Sequence, residues 1–155
     1  MKSIKHQSFH APSSFSLAMI VSEFNQDITQ ALKAGALAYL ETQGFCMDDL
    51  TVVDVPGAFE IPLVAQRLAQ TKQFAAIITL GAVIRGETSH YDFICQQVSE
   101  GCMRVSLAYD VPVIFGVLTT ENEAQAWDRT GGAHGHKGVD AVACALAMQD
   151  ILKQL

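Results

Sequence analysis

Short apolar runs alternate along the chain with stretches of helical period. The runs are SLAMIVS (16–22), LTVVDV (50–55), AAIITLGAV (75–83) and VPVIFGVL (111–118). They carry almost no polar alternation, so they read as strands covered on both faces rather than strands with one wet face. Between them, Ile28, Leu32, Gly35 and Tyr39 share one face of a helix that should stop at Gly44. Tyr91, Ile94, Val98, Cys102 and Val105 mark a similar face farther on. A helix between these two starts near Pro62, whose missing N–H is harmless in a first turn, and carries Val64 and Leu68. Thr120, Glu121, Asn122 and Glu123 have capping-box spacing and open a fourth helix. Beyond the Gly-rich link TGGAHGHKG, Val139, Val142, Leu146 and Ile151 mark a last one. The βαβαβαβα order plus a terminal helix predicts an α/β fold: four parallel strands, right-handed crossovers, and helices on both faces of the sheet.

A chain of 155 residues fits one domain, 1–155, with its own core. Residues 1–14, rich in Ser, His and Lys with Pro12, read as an extended arm rather than part of the core, of a kind that can order on a neighbour. Charged residues make up only 17%, below the share of about 25% usual for soluble domains. The surplus of apolar surface points to subunit contacts. A net charge of −6 with 10 Lys and Arg repels a phosphate backbone and anionic lipid, which excludes nucleic acid and membrane surfaces as partners. The longest near-apolar run, AAIITLGAVI, has ten residues, short of the roughly 18 needed to cross a bilayer. The four cysteines, Cys46, Cys95, Cys102 and Cys144, form no C-x-x-C pair. They suit a reducing cytoplasm. Cys95 and Cys102 fall on the apolar helix face with Ile94, Val98 and Val105 and read as core.

Open parallel sheets bind ligands beyond the carboxyl ends of their strands, where the βα loops and helix N-termini collect. Here those loops are SEFN, VPGAFE, AVIRGETSH and GVLTTEN. They bring together Phe24, Phe59, Glu60, Glu87, Thr88 and His90. Phe24 is either a core ring or a stacking platform. His90 is either an exposed first-turn residue or an acid–base group, since an imidazole with a pKa of about 6.5 offers both protonation states near neutrality. Thr88 and Ser89 cap a helix or, with the local N–H groups, hold a phosphate. Arg85 and Glu87 read as a surface ion pair. Glu60 suits the helix dipole whatever else it does, and Arg129 is either a helix-terminal cation or a phosphate fork.

Several signatures are missing. G-x-G-x-x-G does not follow the first strand, and neither G-x-x-x-x-G-K-[ST] nor G-x-S-x-G occurs. Nicotinamide, ATP and serine-hydrolase chemistry lose their basis. His134 and His136 flank Gly135, but H-x-H without further ligands reads as a polar loop rather than a metal site.

In order along the chain stand Phe24-Asn25, VPGAFEIP (55–62), GAVIRGETSHYD (81–92), VIFGVLTTEN (113–122), and Arg129 followed by a Gly-rich HKG link. From about Ser16 to the C-terminus this pattern resembles the 6,7-dimethyl-8-ribityllumazine synthase family. The resemblance implies a flavodoxin-like three-layer α/β/α sandwich. It also implies a transferase of riboflavin biosynthesis, which condenses 5-amino-6-(D-ribitylamino)uracil with 3,4-dihydroxy-2-butanone 4-phosphate without cofactor or metal. Phe24 would stack on the pyrimidine, and Ala58, Phe59 and Glu60 would line the ribityl chain. Ala82, Val83 and Ile84 would present backbone groups to the ring. Glu87 and Thr88 would meet the phosphate, and His90 would move protons. Phe115 and Arg129 would come from the neighbouring chain, because the family's sites lie between subunits.

Family members form pentamers and, in many cases, icosahedral cages, and riboflavin synthase is a possible partner. Ala133 stands where the family often has lysine, His136 where it often has asparagine, and Trp127 is unusual in its segment. These departures bear on assembly more than on chemistry. A non-catalytic flavin- or lumazine-binding protein, or a shell-forming protein, on the same scaffold is the competing reading.

Overall fold

The structure, a computed structural model, describes residues 1–6 and 15–155. Four strands, β1 (Ser16–Ser22), β2 (Leu50–Val55), β3 (Phe74–Ile84) and β4 (Val113–Thr120), form one parallel sheet in the order β2-β1-β3-β4. The predicted segments all become strands. β4 begins two residues late because Pro112 has no N–H and joins the ladder only through its carbonyl, which accepts from Ile77. β4 then runs on to pair Thr119 with Val83 and Thr120 with Ile84.

Alternation along the strands divides the interior into two layers. Leu17, Met19, Val21, Ile78 and Leu80 face α1 (Gln26–Thr42) and α5 (Lys137–Lys153). Ala18, Ile20 and Ile77 face α2 (Ile61–Gln70) and α3 (His90–Tyr109). These strand side chains have no exposed surface, and each large one contributes roughly 1.5–3 kcal/mol on burial. The result is the three-layer α/β/α sandwich that the pattern predicted.

The helix faces are rotated slightly from those predicted. On α1 the buried line is Ile28, Leu32, Ala36 and Leu40, with Gly35 and Tyr39 half-buried at its margins. On α2, Ile61, Ala65 and Ala69 are buried and Val64 and Leu68 flank them. On α5, Val142 and Leu146 are buried together with Gly138, Ala141 and Ala145, while Val139 and Ile151 are half-buried. Small residues take the closest approach in α2 and α5, which a search for large apolar side chains passes over. The face of α3 comes out as predicted, with Val98, Cys102 and Val105 buried. Helix α1 ends as expected: Gly44 is left-handed and Phe45 N–H donates back to Leu40 O at 3.0 Å.

The fourth helix departs from expectation. α4 (Glu123–Trp127) is five residues long, too short to cover a sheet, and α5 is the helix that completes the layer. The cap of α4 is Asn122, whose Oδ1 accepts from Gln125 N–H at 2.9 Å. Thr120, the expected capping residue, is the last residue of β4, and its hydroxyl donates to Asn122 O. The Gly-rich link forms a small antiparallel hairpin, β5 (Thr130–Gly132) and β6 (Gly135–His136), too short to carry any periodicity. Of the expected arm, residues 1–6 have no regular structure and Lys5 O accepts from Gln154 Nε2 at 3.1 Å; residues 7–14 lie outside the described residues. Among the described residues no helix is long and apolar enough to cross a membrane.

Candidate active site

A cavity of about 320 Å³ opens at the carboxyl ends of β1, β2 and β3, where a parallel sheet places its ligands. Phe24, Ala58, Phe59, Ala82, Val83, Ile84, Thr88 and His90 all line it. The structure thus brings together eight of the residues singled out in the sequence. Phe24 and Phe59 are 71% and 53% exposed, so neither ring is core; both stand free at the mouth. Phe24 precedes Asn25, which is left-handed (φ 58°, ψ 49°) and sits just before α1.

Gly57, Gly86, Tyr91 and Ile94 complete the lining. Tyr91 and Ile94 were predicted as part of the apolar face of α3, and they do lie on it. The first turns of α3 lie beside the cavity, however, so that face meets the cavity before it meets the sheet. Burial, then the neighbouring Cys95, pushes the Tyr91 hydroxyl above its ordinary pKa. Cys95 is half-buried and Cys102 fully buried. Asn25 was missed as a site residue: its side-chain amide donates to Ala82 O at 2.8 Å. That bond ties the β1–α1 turn to the end of β3 and occupies one carbonyl of the stretch expected to meet a ring. An Asn between a strand and a helix, where left-handed backbone is tolerated, was the available signal.

Four predicted residues lie outside the lining. Glu60 belongs to a 3-10 turn (Ala58–Glu60) ahead of α2 and folds its carboxylate back over Gly57. Glu87 is exposed and does not pair with Arg85. Phe115 projects from the edge strand β4, 42% exposed. Arg129 follows α4 and donates from Nη1 to Gln125 O at 2.8 Å, with its other guanidinium nitrogens free of hydrogen bonds among the described residues.

The loop between β3 and α3 presents donors. Among the described residues the N–H groups of Gly86, Glu87, Thr88 and Ser89 donate to no protein group. Ser89 makes no side-chain cap, contrary to expectation; Thr88 Oγ1 instead accepts a long bond, 3.4 Å, from His90 N–H. Unpaired N–H groups ahead of a 20-residue helix are the kind of donors that favour an anion.

Arg85, at the root of this loop, has different partners from those predicted. Nε donates to Glu121 Oε2 at 2.7 Å, Nη1 to Asp92 Oδ2 at 3.2 Å and Nη2 to Asp92 Oδ1 at 2.9 Å. Its guanidinium carbon lies 4.2 Å from the centre of the Tyr91 ring, a cation–π distance. Hydrogen bonding to Asp92, opposed by desolvation and helped by Glu121, raises its already high pKa.

Among the described residues no group of three or more His, Cys, Asp or Glu is placed to hold a metal. His134 and His136 diverge: the first has Nδ1 3.9 Å from Asp128 Oδ2, and the second accepts at Nδ1 from Val139 N–H at 3.4 Å, at the start of α5. The site thus offers rings, backbone groups, a loop with unpaired N–H donors and one imidazole. That inventory suits binding a flat polar ring beside a small anion and moving protons between them.

Residues 14–153 match the family model for 6,7-dimethyl-8-ribityllumazine synthase. Curated proteins of that name from three strains of Coxiella burnetii are each 50% identical to this chain over 143 residues, covering 92% of this chain and 95% of the relative. With the sandwich fold, the strand-end cavity and this similarity over nearly its whole length, the chain belongs to the 6,7-dimethyl-8-ribityllumazine synthase family.

Proposed function

We propose that the protein condenses 5-amino-6-(D-ribitylamino)uracil with 3,4-dihydroxy-2-butanone 4-phosphate to give 6,7-dimethyl-8-ribityllumazine, phosphate and two molecules of water, as a transferase of riboflavin biosynthesis. The observation that carries the reading is one cavity lined by Phe24, the end of β3, Gly86 and Thr88 of the loop with unpaired N–H groups, and His90. The ring of the uracil stacks on Phe24 and meets the backbone at Val83 and Ile84. Ala58, Phe59 and Glu60 take the ribityl chain. The phosphate sits on the loop at Glu87 and Thr88, with the Glu87 side chain turned away into solvent.

Each chemical step then needs little more than proximity and a proton carrier. The ring amine adds to the ketone carbon of the phosphate-bearing substrate, and water leaves to give an imine. Phosphate departs by elimination, and the second amine closes the ring with loss of another water. His90 receives a proton from the adding amine and returns one to a departing oxygen. Such transfer is worth roughly 10²–10⁴-fold, and holding two reactants in register is worth as much or more.

A cavity of about 320 Å³ is at the small end of ligand sites, which run from about 300 to 1,000 Å³. It suits one ring better than two reactants. Phe115 and Arg129, outside it in their own chain, are supplied by a neighbouring copy, with Arg129 closing over the phosphate. The assembly is a homo-oligomer built on pentamers, in the cytoplasm, with a riboflavin synthase as the enzyme that consumes the product. The chain acts as one domain, 1–155, with 1–14 as its arm.

The test mixes purified protein with both substrates and follows product fluorescence. Formation well above the spontaneous background is expected. A folded oligomer that adds nothing to the background would overturn the catalytic reading in favour of a binding or shell protein.

A further inference from the structure

His90 stands at the first position of α3, exposed, and its imidazole makes no hydrogen bond among the described residues. Nothing bonded to the ring therefore decides where it points. The backbone turn that carries it must decide, and that turn is gripped from one side. Arg85 N–H donates to Thr120 O at 2.9 Å, its Nε holds Glu121 just beyond β4, and its two Nη atoms hold Asp92 in the first turn of α3. Its face covers Tyr91, which lines the cavity. Three pieces of chain, the ends of β3 and β4 and the start of α3, meet at one guanidinium.

A direct role for Arg85 in holding phosphate fits poorly. Each of its three nitrogens already donates to a carboxylate. Two carboxylates around one cation leave the group with a net charge of −1, which repels a phosphate. A planar fork with parallel bonds to a carboxylate, by contrast, fixes orientation as well as distance.

We propose that Arg85 is a positioning residue. By clamping Tyr91 and Asp92 of α3 against Glu121 and the end of β4, it sets where His90 stands over the cavity. This rests on the reading of His90 as the proton carrier.

The experiment compares wild type, Arg85→Met, His90→Ala and the double variant for kcat and KM, with oligomeric state checked by light scattering. Arg85→Met is expected to lower kcat about tenfold or more while leaving KM for the phosphate substrate within about twofold, since small misplacement of a reacting group costs rate rather than affinity. In the His90→Ala background the same substitution is expected to change kcat by no more than about twofold, because the group it positions is gone. Arg85→Lys, which keeps the charge and loses the fork, is expected to behave as Arg85→Met does.

A tenfold rise in KM for the phosphate substrate with unchanged kcat would make Arg85 a ligand and overturn the inference. So would an equal loss in both backgrounds, or a fully active Arg85→Lys. If His90→Ala alone leaves kcat unchanged, the role of His90 falls and this inference with it; a slow His90→Ala with an undiminished Arg85 effect sinks this inference only. Should Arg85→Met fail to assemble, Asp92→Asn releases the α3 end of the fork and gives the same comparison.

Discussion

Asn25 and Ala82, 57 positions apart, are joined by a 2.8 Å hydrogen bond from the Asn25 side-chain amide to the Ala82 carbonyl. Phe24 is on one side of this bond and Val83 on the other, both lining the cavity. Replacing Asn25 by Gly removes the bond and keeps a residue at ease in left-handed backbone, so it should cost about 1 kcal/mol. Asn25→Ala loses the bond and also strains the backbone, at about 2–3 kcal/mol together. Urea unfolding at a fixed protein concentration checks the order. An Ala variant as stable as the Gly variant would show that the backbone conformation carries no cost.

His90 and Arg129 belong to different copies in the proposed site, and this can be tested by mixing. His90→Ala is expected to slow turnover by roughly 10²-fold or more without abolishing it, and Arg129→Ala to weaken the phosphate substrate. Unfolded together at equal amounts and refolded, the two variants should recover about a quarter of wild-type activity, since in a ring each site takes one chain's His90 and a neighbour's Arg129. Recovery no greater than the sum of the separate variants would place both residues in one chain's site.

Burial pushes the Cys102 thiol up from an ordinary 9 to about 11, opposed slightly by a hydrogen bond with Thr79. The folded chain holds this proton more tightly than the unfolded chain does. Between pH 9 and 11 the unfolded state has lost it and the folded state has not, so stability falls as pH rises through that window and is unaffected below it. The loss attributable to this thiol is on the order of 2–3 kcal/mol. Cys102→Ala lowers stability at neutral pH by leaving a small cavity, yet its profile should be flatter than wild type above pH 9. Parallel profiles would contradict the assignment.

Gly35 and Gly138 let α1 and α5 approach closely, and the His136 ring fills the space beside them. A Cβ on Gly138 would strike the Leu32 carbonyl, which is backbone and cannot swing away. Gly138→Ala should cost about 3 kcal/mol. A Cβ on Gly35 would strike the His136 ring, which can move at the expense of its bond from Val139 N–H. Gly35→Ala should cost about 1–2 kcal/mol, and less when His136 is first changed to Asn, a smaller side chain able to keep the cap. Thermal unfolding of the single and double variants measures the coupling.

The two central strands were the most legible, because β1 and β3 are covered on both faces and apolar almost throughout, while the edge strands β2 and β4 are only partly covered. Helix faces were less so: α2 and α5 pack through alanine and glycine, which hydrophobic periodicity hardly registers. The capping box at Thr120 failed because pairing with Ile84 kept Thr120 in the ladder and passed the cap to Asn122. The rings, loop and imidazole of the site were legible as strand-end residues. Tyr91 and Ile94 were placed on the right helix face, but their second role in lining the cavity was not legible, because one face serves core and cavity in succession.

The chain's own order of residues determined the fold class, the edge of the sheet where chemistry collects, and the family, since all three follow from local pattern and motif. Only the tertiary structure decided the partners of Arg85, the reach of Asn25 to Ala82, and the separation of Phe115 and Arg129 from the cavity. Those depend on which distant segments the parallel crossovers bring side by side. Glu87 is the carboxylate nearest Arg85 in sequence, yet geometry in three dimensions, not spacing along the chain, selects Asp92 and the distant Glu121.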